Sequence, residues 1–180
     1  AGFIGGALIV FLLENTDCKI VNLDKLGYAS DLTRINKTLE LLNISKDRYK
    51  FICLDLFNKS DILKIINEIN PDFVFHLAAE SHVDKSIKSP EIFVKSNVVG
   101  TFNLLECIRI HWLDLPENRK QNFRFIHVST DEVFGSLGNK GFFSEDSAYD
   151  PRSPYSASKA SSDHFVKAYF HTYGLPIIIT

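Results

Sequence analysis

The sequence predicts an α/β fold in which a doubly wound parallel sheet carries helices on both faces. Short segments rich in Phe, Ile and Val alternate with longer segments of helical periodicity along the chain. Polar or small residues follow three of the strand segments, at the sheet edge where such folds bind ligands. A length of 180 residues suits one sizeable core. We therefore expect one domain over residues 1–180.

Glycines open the chain in a pattern that predicts a phosphate-binding turn. Gly2-Phe3-Ile4-Gly5 matches the tail of a G-x-x-G-x-x-G turn, which lets the backbone approach a pyrophosphate at a helix N-terminus. Two glycines alone would equally suit close helix packing. The first residue already lies inside this turn, so we expect a first strand to be missing and the domain to be incomplete at this end.

A predicted helix, Phe3–Glu14, leads to a strand over 19–24 that ends in a carboxylate. Asp24 stands 19 residues after Gly5, the spacing of the acid that binds the adenosine ribose hydroxyls in dinucleotide-binding folds. A carboxylate there repels a 2′-phosphate, so the spacing favours NAD over NADP. An ordinary turn after the strand remains the alternative for Asp24 on its own.

Beyond Asp24 the alternation of elements continues. Helices are predicted over 32–43, 60–70 and 90–111, and strands over 49–54, 73–77 and 123–128. Asp55, the segment 78–82 and the segment 129–132 directly follow the three strands. Because the carboxyl ends of parallel strands meet at one edge, these three endings predict one crevice. A loop over 135–152 and a last strand from 175 complete the pattern, and a domain that stops on an incoming strand is expected to continue.

Tyr155 and Lys159 are predicted to lie one turn apart on one helix face. Ser153-Pro154 is an N-cap followed by proline at the first helical position, and Gly174 suits the C-terminal cap. An ammonium near a phenol favours the phenolate and would lower the tyrosine pKa from about 10, which would make Tyr155 a general base. Tyr and Lys at this spacing also occur by chance in many helices.

Composition excludes several other functions. The net charge is −2 with both signs interspersed, which offers no surface for nucleic acid or anionic membranes. Cys18, Cys53 and Cys107 are widely spaced, so we expect neither disulfides nor a zinc site, and a reducing cytoplasm fits best. The six histidines lack metal-ligand spacing, and no metal is expected. The apolar opening lacks the basic segment of a signal peptide and is too short to span a bilayer.

Six stretches together resemble a known family. They are AGFIG at 1–5, NLDKL at 22–26, HLAAESHVD at 76–84, NVVGT at 97–101, STDEVFG at 129–135 and PYSASKASSDH at 154–164. The chain resembles the N-terminal half of the extended short-chain dehydrogenase/reductases, and within them the nucleotide-sugar 4,6-dehydratases that act on dTDP-glucose. The resemblance implies an NAD-binding Rossmann fold, here without its first strand and without the C-terminal substrate domain.

The resemblance also implies a reaction and roles for five residues. NAD would take hydride from sugar C4 and return it at C6, with water lost across C5 and C6. Tyr155 would remove the C4 hydroxyl proton, Lys159 would lower the Tyr155 pKa and hold the nicotinamide ribose, and Thr130 would bond the C4 oxygen. Asp131 would protonate the departing C6 hydroxyl and Glu132 would be the base at C5. Asp131 must then be protonated in the working complex, through burial or through the neighbouring Glu132.

Matching positions give the implied binding residues. The cofactor set is Gly2, Phe3, Ile4, Gly5, Asp24, Lys25, Leu26, Gly27, Asp55, Leu56, Leu77, Ala78, Ala79, Ser81, Ser96, Tyr155 and Lys159. The substrate set is Ser81, Thr130, Asp131, Glu132 and Tyr155. Gly27 and Ser96 stand where threonine is frequent, and Phe134 replaces a usual tyrosine. The family also implies a homodimer through the helices that begin at Pro90 and Pro154, and a place in deoxysugar biosynthesis.

Three alternatives stay open. Another nucleotide-sugar 4,6-dehydratase is possible because the nucleotide is read mainly by the part of the family fold beyond this chain. A UDP-sugar 4-epimerase would share the fold, NAD, Tyr155 and Lys159, although it has no need of Asp131 and Glu132. A silent dinucleotide-binding protein is the third, and the 180-residue piece by itself is expected to be inactive.

Overall fold

The computed structural model describes residues 1–138 and 140–180, and its contacts divide the chain into two compact units. The first unit, Ala1–Asp55, contains two helices and two strands. They are α1 (Phe3–Asn15), β1 (Ile20–Asp24), α2 (Thr33–Leu41) and β2 (Tyr49–Cys53). β1 and β2 are parallel, with Ile20 opposite Tyr49 and Asp24 opposite Cys53. Ile9 and Leu13 of α1 and Ile35 of α2 form the small core of this unit.

The second unit, Leu56–Thr180, holds the remaining elements. In chain order they are α3 (Lys59–Ile69), β3 (Phe73–His76), α4 (Val83–Lys88), α5 (Pro90–Phe93), a π-helical segment (Val94–Val99), α6 (Gly100–Asp114), α7 (Glu117–Asn122), β4 (Arg124–His127), a 3₁₀ turn (Asp131–Phe134), α8 (Pro154–Tyr173) and β5 (Ile177–Ile179). The strands form a parallel sheet in the order β3-β4-β5, with His76 opposite His127 and His127 opposite Ile179. The α/β class and the parallel pairing predicted from sequence are confirmed.

Helix α8 begins and ends as the sequence predicts. The Ser153 hydroxyl accepts a hydrogen bond from the Ser156 backbone N–H at 3.0 Å, and the Ser156 hydroxyl accepts one from the Ser153 N–H at 3.0 Å. This capping box satisfies two backbone donors that the first turn leaves unpaired. Pro154 fills the first helical position, and Gly174 ends the helix with a positive φ of 73°. The two caps thereby determine where α8 begins and ends, and so which of its side chains lie on one face.

Three features of the helices differ from the sequence prediction. The helix expected over 90–111 is interrupted by the π-helical segment Val94–Val99 and continues to Asp114. Helices α4 and α7, six residues each, were not predicted. Helices of fewer than two turns are too short to show the 11- to 18-residue periodicity on which the prediction depends. None of the helices within the described ranges is long and apolar enough to cross a membrane.

Candidate active site

The end of β4 lies against one face of α8, and this contact forms the centre of the candidate site. The Lys159 ammonium donates to the Val128 carbonyl at 2.7 Å, and the Ser129 hydroxyl donates to Oδ2 of Asp163 at 2.5 Å. The next residue along the strand exit, Thr130, lies near the Tyr155 phenol and lowers its pKa. Residues that lie one helical turn apart on α8 are therefore next to consecutive residues at the end of β4.

Tyr155 is largely buried, with 8% of its surface exposed. Its ring meets Phe93 edge to face at a centroid distance of 6.4 Å, which orients the phenol. Burial raises the pKa of Tyr155, the Thr130 hydrogen bond lowers it, and the nearby carboxylates of Glu132, Asp131 and Asp163 raise it further, so that it lies above its ordinary value. The lowering that the sequence predicted is therefore absent in this structure.

Lys159 explains that difference. Its side chain is 4% exposed, and its ammonium bonds the Val128 carbonyl rather than the phenol. Burial lowers the pKa of Lys159 to about 8, although the Asp163 carboxylate raises it in part. An ammonium has three N–H donors, so the bond to Val128 leaves donor capacity for a ribose hydroxyl. The binding role that the family resemblance implies for Lys159 stays a prediction, while its effect on Tyr155 is not seen here.

The two adjacent carboxylates stand in the 3₁₀ turn that follows the strand. Thr130 caps this turn, since its hydroxyl accepts from the Glu132 N–H at 3.3 Å. Asp131 is exposed and Glu132 is half-buried, so the burial expected at Asp131 is absent. The turn ends at Gly135, where φ is +102° and a Cβ would lie only 2.8 Å from the Asp150 carbonyl oxygen, so no side chain fits. The turn thus presents Asp131 and Glu132 directly beside Thr130, which in turn contacts Tyr155.

The loop after β3 reaches the same sheet edge and is held by Asn97. The Asn97 amide accepts from the Glu80 N–H at 2.8 Å and donates to the Glu80 carbonyl at 2.9 Å and to the Ser158 hydroxyl at 2.8 Å. Asn97 lies in the π-helical segment, so its own carbonyl is available to the hydroxyls of Thr101 and Ser162, both at 2.6 Å. Asn97 therefore ties the β3 loop to α8.

The predicted residues on this loop occupy the surroundings of Asn97. Leu77 and Ser96 are half-buried, whereas Ala78, Ala79 and Ser81 are exposed. Because β3 and β4 are parallel neighbours, the segment 78–82 and the segment 129–132 leave the sheet at the same edge. The second unit therefore brings together Tyr155, Lys159, the 129–132 segment and the β3 loop.

In the first unit, the Asp24 carboxylate and the N-terminus of α1 lie side by side. Oδ2 of Asp24 accepts from the amino nitrogen of Ala1 at 2.7 Å, and Oδ1 accepts from the Leu26 N–H at 2.7 Å and the Ser30 hydroxyl at 2.8 Å. Burial raises the pKa of Asp24, but the hydrogen bonds it accepts, among them those from Ser30 and Leu26, hold it below its ordinary value. Asp24 is therefore an ionised acceptor at neutral pH.

The backbone beside Asp24 is open to a ligand. No side chain caps the helix at Gly2, and the first turn of α1 has no acidic residue. A Cβ added at Gly2 or Gly5 would meet no heavy atom within 4 Å. Unpaired N–H groups at a helix N-terminus attract anions, and a carboxylate near them accepts ribose hydroxyls. These residues fit the adenosine diphosphate end of a dinucleotide.

The remaining predicted cofactor residues lie around these two places, each within its own unit. In the first unit, Phe3, Ile4, Lys25, Leu26 and Asp55 are exposed and Gly27 is half-buried. Leu26 has a positive φ of 56°, which turns the chain after Asp24. Leu56 opens the second unit, where its side chain packs 3.2 Å from the position a Cβ at Gly100 would take. The described residues contain no group of three His, Cys, Asp or Glu side chains that could hold a metal ion.

Sequence reasoning missed Asp163 and His127, two buried residues that support Tyr155 and Lys159. Asp163 is fully buried one turn beyond Lys159, and its carboxylate accepts from the Ser129 hydroxyl and from the Tyr149 phenol at 2.9 Å. His127 on β4 is also fully buried, with Nε2 3.0 Å from Oδ1 of Asp163. The signal available in the sequence was the i, i+4, i+8 spacing of Tyr155, Lys159 and Asp163, which places all three on one helix face.

Known proteins share both the sequence and this fold. A family model described as GDP-mannose 4,6 dehydratase matches residues 1–180. A probable dTDP-glucose 4,6-dehydratase of Sinorhizobium fredii is 49% identical over 180 residues, which are all of this chain and 50% of that protein. A dTDP-glucose 4,6-dehydratase of Salmonella typhimurium is 47% identical over 189 residues, or 51% of its length. The chain thus spans about half the length of these curated relatives.

A solved structure gives the same picture. The crystal structure of a dTDP-glucose 4,6-dehydratase from Bacillus anthracis in complex with NAD superposes with a TM-score of 0.81 at 34% identity, over 99% of this chain and 51% of that one. The match extends over both compact units of this chain, including the glycine turn, the β3 loop and the end of β4. By the match of the family model over its whole length, the chain belongs to the GDP-mannose 4,6 dehydratase family.

Proposed function

We propose that the longer protein to which this chain corresponds is an NAD-dependent dTDP-glucose 4,6-dehydratase. The observation that carries the proposal is the 3₁₀ turn after β4, which places Asp131 and Glu132 directly after Thr130 and near enough to Tyr155 for their carboxylates to raise its pKa. Relatives at 49% and 47% identity are dTDP-glucose 4,6-dehydratases by name, which supports dTDP-glucose as the substrate. The product is dTDP-4-keto-6-deoxyglucose, and water leaves.

NAD is the proposed cofactor, and its two ends have separate sites on the chain. Gly2, Phe3, Ile4 and Gly5 at the start of α1 would hold the pyrophosphate, and Asp24 would bind the adenosine ribose. Lys159 would donate to the nicotinamide ribose with the N–H groups that Val128 does not take. When bound, NAD supplies a hydride acceptor for sugar C4 and a hydride donor for C6. The Bacillus anthracis structure, which contains NAD, supports this assignment.

The side chains of the second unit divide the proton transfers between them. Tyr155 takes the proton of the C4 hydroxyl while Thr130 bonds the C4 oxygen. The C4 ketone then acidifies the C5 proton, which Glu132 removes, and Asp131 protonates the C6 hydroxyl so that it leaves as water. Glu132 returns its proton to C5 when hydride reaches C6, which gives the 4-keto-6-deoxy sugar. Asp131 is exposed in the free protein, and a bound sugar that excludes water from it would favour the neutral acid.

The full-length protein, incubated with NAD and dTDP-glucose, tests this assignment. Formation of the 4-keto-6-deoxy sugar is followed for the wild type and for Asp131→Asn. We expect product with the wild type, and in the variant C4 oxidation that continues while water loss slows. Asp146→Asn, an exposed aspartate in the 135–152 segment, is the matched control and should leave turnover unchanged.

Other outcomes identify the competing functions. Inversion at C4 without loss of water would make the protein a UDP-sugar 4-epimerase type enzyme and would remove the role given to Asp131 and Glu132. Turnover of GDP-mannose or another nucleotide sugar in place of dTDP-glucose would keep the dehydratase chemistry and change the substrate. Binding of NAD with no turnover of any nucleotide sugar would point to a silent dinucleotide-binding protein.

We also propose that the full-length protein is a cytoplasmic homodimer that pairs through the helices beginning at Pro90 and Pro154. Apolar side chains are exposed on these helices: Ile92 is 51% exposed, Val94 52%, Phe102 37% and Phe165 40%. Phe102 and Phe165 lie side by side, with ring centroids 6.1 Å apart. Exposed apolar side chains that cluster, as Phe102 and Phe165 do, are typical of a protein interface. Sedimentation analysis of the full-length protein measures the oligomeric state, and a monomer would contradict the proposal.

A further inference from the structure

Asp163 is a buried carboxylate to which the proposed reaction gives no role. It is fully buried on α8, and burial of a carboxylate costs free energy of folding unless hydrogen bonds or nearby charges compensate it. Three different parts of the second unit approach its oxygens: Ser129 at the strand exit and Tyr149 in the segment before α8 donate to Oδ2, and Nε2 of His127 on β4 lies 3.0 Å from Oδ1 without a well-formed hydrogen bond. Asp163 is thus the point at which these parts meet.

The position of the residues that follow β4 depends on Asp163. Ser129 donates to Asp163 at 2.5 Å, and Ser129 directly precedes the Thr130-Asp131-Glu132 run. The Tyr149 phenol donates to the same Oδ2 at 2.9 Å, so it holds the carboxylate from the opposite direction. Tyr149 is itself fixed by the Lys167 ammonium, which lies 4.4 Å from its ring centre and 3.2 Å from its hydroxyl. The start of the 3₁₀ turn is therefore anchored to α8 through Asp163.

The charge of Asp163 is compensated from its own helix. Burial lowers the pKa of His127 more than Asp163 raises it, so His127 is neutral at neutral pH and supplies no cation. Lys159, one turn away, is the buried ammonium that Asp163 stabilises. Burial raises the pKa of Asp163, but the hydrogen bonds from His127 and Ser129 hold it below its ordinary value, so the carboxylate is ionised.

The other titratable groups near this cluster do not replace Asp163. His76 stacks on His127 at 5.2 Å and is fully neutral, because burial lowers its pKa well below the ordinary value. The Thr101 hydroxyl donates to the Asn97 carbonyl, so it accepts from Nε2 of His76 at 2.8 Å. Tyr149, Tyr155 and Lys167 complete the set that faces the network from its flanking elements, and the phenols have raised pKa values, so they remain protonated.

We infer that Asp163 is a positioning residue of the active site, which anchors Ser129 so that Thr130, Asp131 and Glu132 face the substrate, and which keeps Lys159 a cation. This inference rests on the proposed function for the reaction that the positioned groups perform. Asp163 is fully buried and reaches solvent nowhere, so a direct contact with a ligand cannot explain its role. Its effect should pass through the residues it holds rather than through contact with the substrate.

The experiment uses the full-length protein and the variant Asp163→Asn, which removes the charge and preserves the shape. Two quantities are measured across pH: kcat for the nucleotide sugar, and the affinity for NAD alone by fluorescence titration. We expect kcat to fall about tenfold or more while KM changes less, since the substrate-facing groups remain. We also expect the alkaline loss of both kcat and NAD affinity to move to lower pH by roughly one pH unit, because Lys159 loses a stabilising charge.

Two further variants keep the test decisive. Asp114→Asn removes an exposed carboxylate at the end of α6 and should match the wild type in both profiles. Tyr149→Phe removes one hydrogen bond and no charge, so it should lower kcat without moving either alkaline limb. If Asp163→Asn does not fold, Ser129→Ala replaces it: a fall in kcat at unchanged NAD affinity would support the anchoring, and unchanged kcat would overturn it.

The outcomes separate this inference from the proposed function. A wild type that does not convert dTDP-glucose refutes the proposed function, and the NAD-affinity profile then decides on Asp163 by itself. Loss of activity in Asp163→Asn with both pH profiles in their wild-type position would show a merely structural residue and would overturn the inference. A displaced NAD-affinity profile in that variant supports it whatever the substrate.

Discussion

The candidate residues of the two compact units differ in their exposure to solvent. In the first unit the cofactor positions are open: Phe3 is 89% exposed and Ile4 61%, and the site consists of backbone at a helix start beside one carboxylate. In the second unit Tyr155 is 8% exposed and Lys159 4%, and each is held by buried or half-buried neighbours. The first unit offers backbone at a helix start, whereas the second holds its candidate residues through a polar network. Substitutions should therefore affect binding in one unit, and turnover or stability in the other.

The largest effect that sharpens this comparison is expected at Tyr155. Tyr155→Phe removes the proposed base but keeps the ring against Phe93, so kcat should fall about 10²- to 10⁴-fold with little change in folding. Steady-state kinetics of the full-length protein measures it, and NAD affinity is the control that should stay near the wild-type value. Turnover within a few-fold of the wild type would show that another group takes the C4 proton.

A large loss of stability is expected at Asn97, which is 1% exposed. Asn97→Ala leaves the Glu80 N–H and C=O without their partners, which should lower the free energy of unfolding by about 2–4 kcal/mol. Denaturant unfolding measures the change. Asn15→Ala, which removes an exposed bond to the Phe11 carbonyl in the first unit, is the matched control and should cost far less. Equal losses at both sites would break the comparison.

A smaller effect, confined to binding, is expected at Asp24. Asp24→Asn removes the charge that would accept the ribose hydroxyls, so NAD affinity should fall roughly tenfold, and discrimination against NADP should weaken with it. Titration calorimetry with each dinucleotide measures both. The free energy of unfolding should change much less than in Asn97→Ala, because Asp24 is only half-buried. Unchanged affinity for both dinucleotides would contradict the assignment of Asp24.

The last effect concerns the dependence of stability on pH. Lys159 has a folded-state pKa of about 8 against an ordinary value of 10.5. The unfolded chain therefore binds the proton more tightly, and the contribution of Lys159 to stability is fully present above 10.5 and lost as the pH falls through about 8. Lys159→Met should remove this rise between the two values. The difference between unfolding curves of the two proteins at pH 7 and pH 10 measures it, and parallel curves would contradict the prediction.

The fold was predictable because its signals are local and repeated. Strands of Phe, Ile and Val, the Ser153-Pro154 cap and the Gly174 stop each specify one element, and the structure has all of them. The π-helical segment was not predictable, since it is set by the polar partners of Asn97 rather than by periodicity. The short helices α4 and α7 offered too few residues for a pattern.

The candidate site was predictable in its members and less so in its electrostatics. Tyr155 and Lys159 share a helix face as their spacing requires, and the 129–132 segment follows its strand. Spacing does not tell where an ammonium will find its acceptor. Lys159 bonds the Val128 carbonyl, so burial and the neighbouring carboxylates determine the pKa of Tyr155. Asp163 was missed for the same reason, because its partners come from distant parts of the chain.

The π-helical segment is a place where the chain could lose one residue. A π-helical turn holds one residue more than an α-helical turn, so deletion of a single residue within Val94–Val99 could restore regular α-helix without breaking the chain path. That deletion would rotate the preceding residues by about 100° relative to α6, and Phe93 would leave the ring of Tyr155. Homologous chains that differ by one residue here should therefore differ in the environment of this tyrosine.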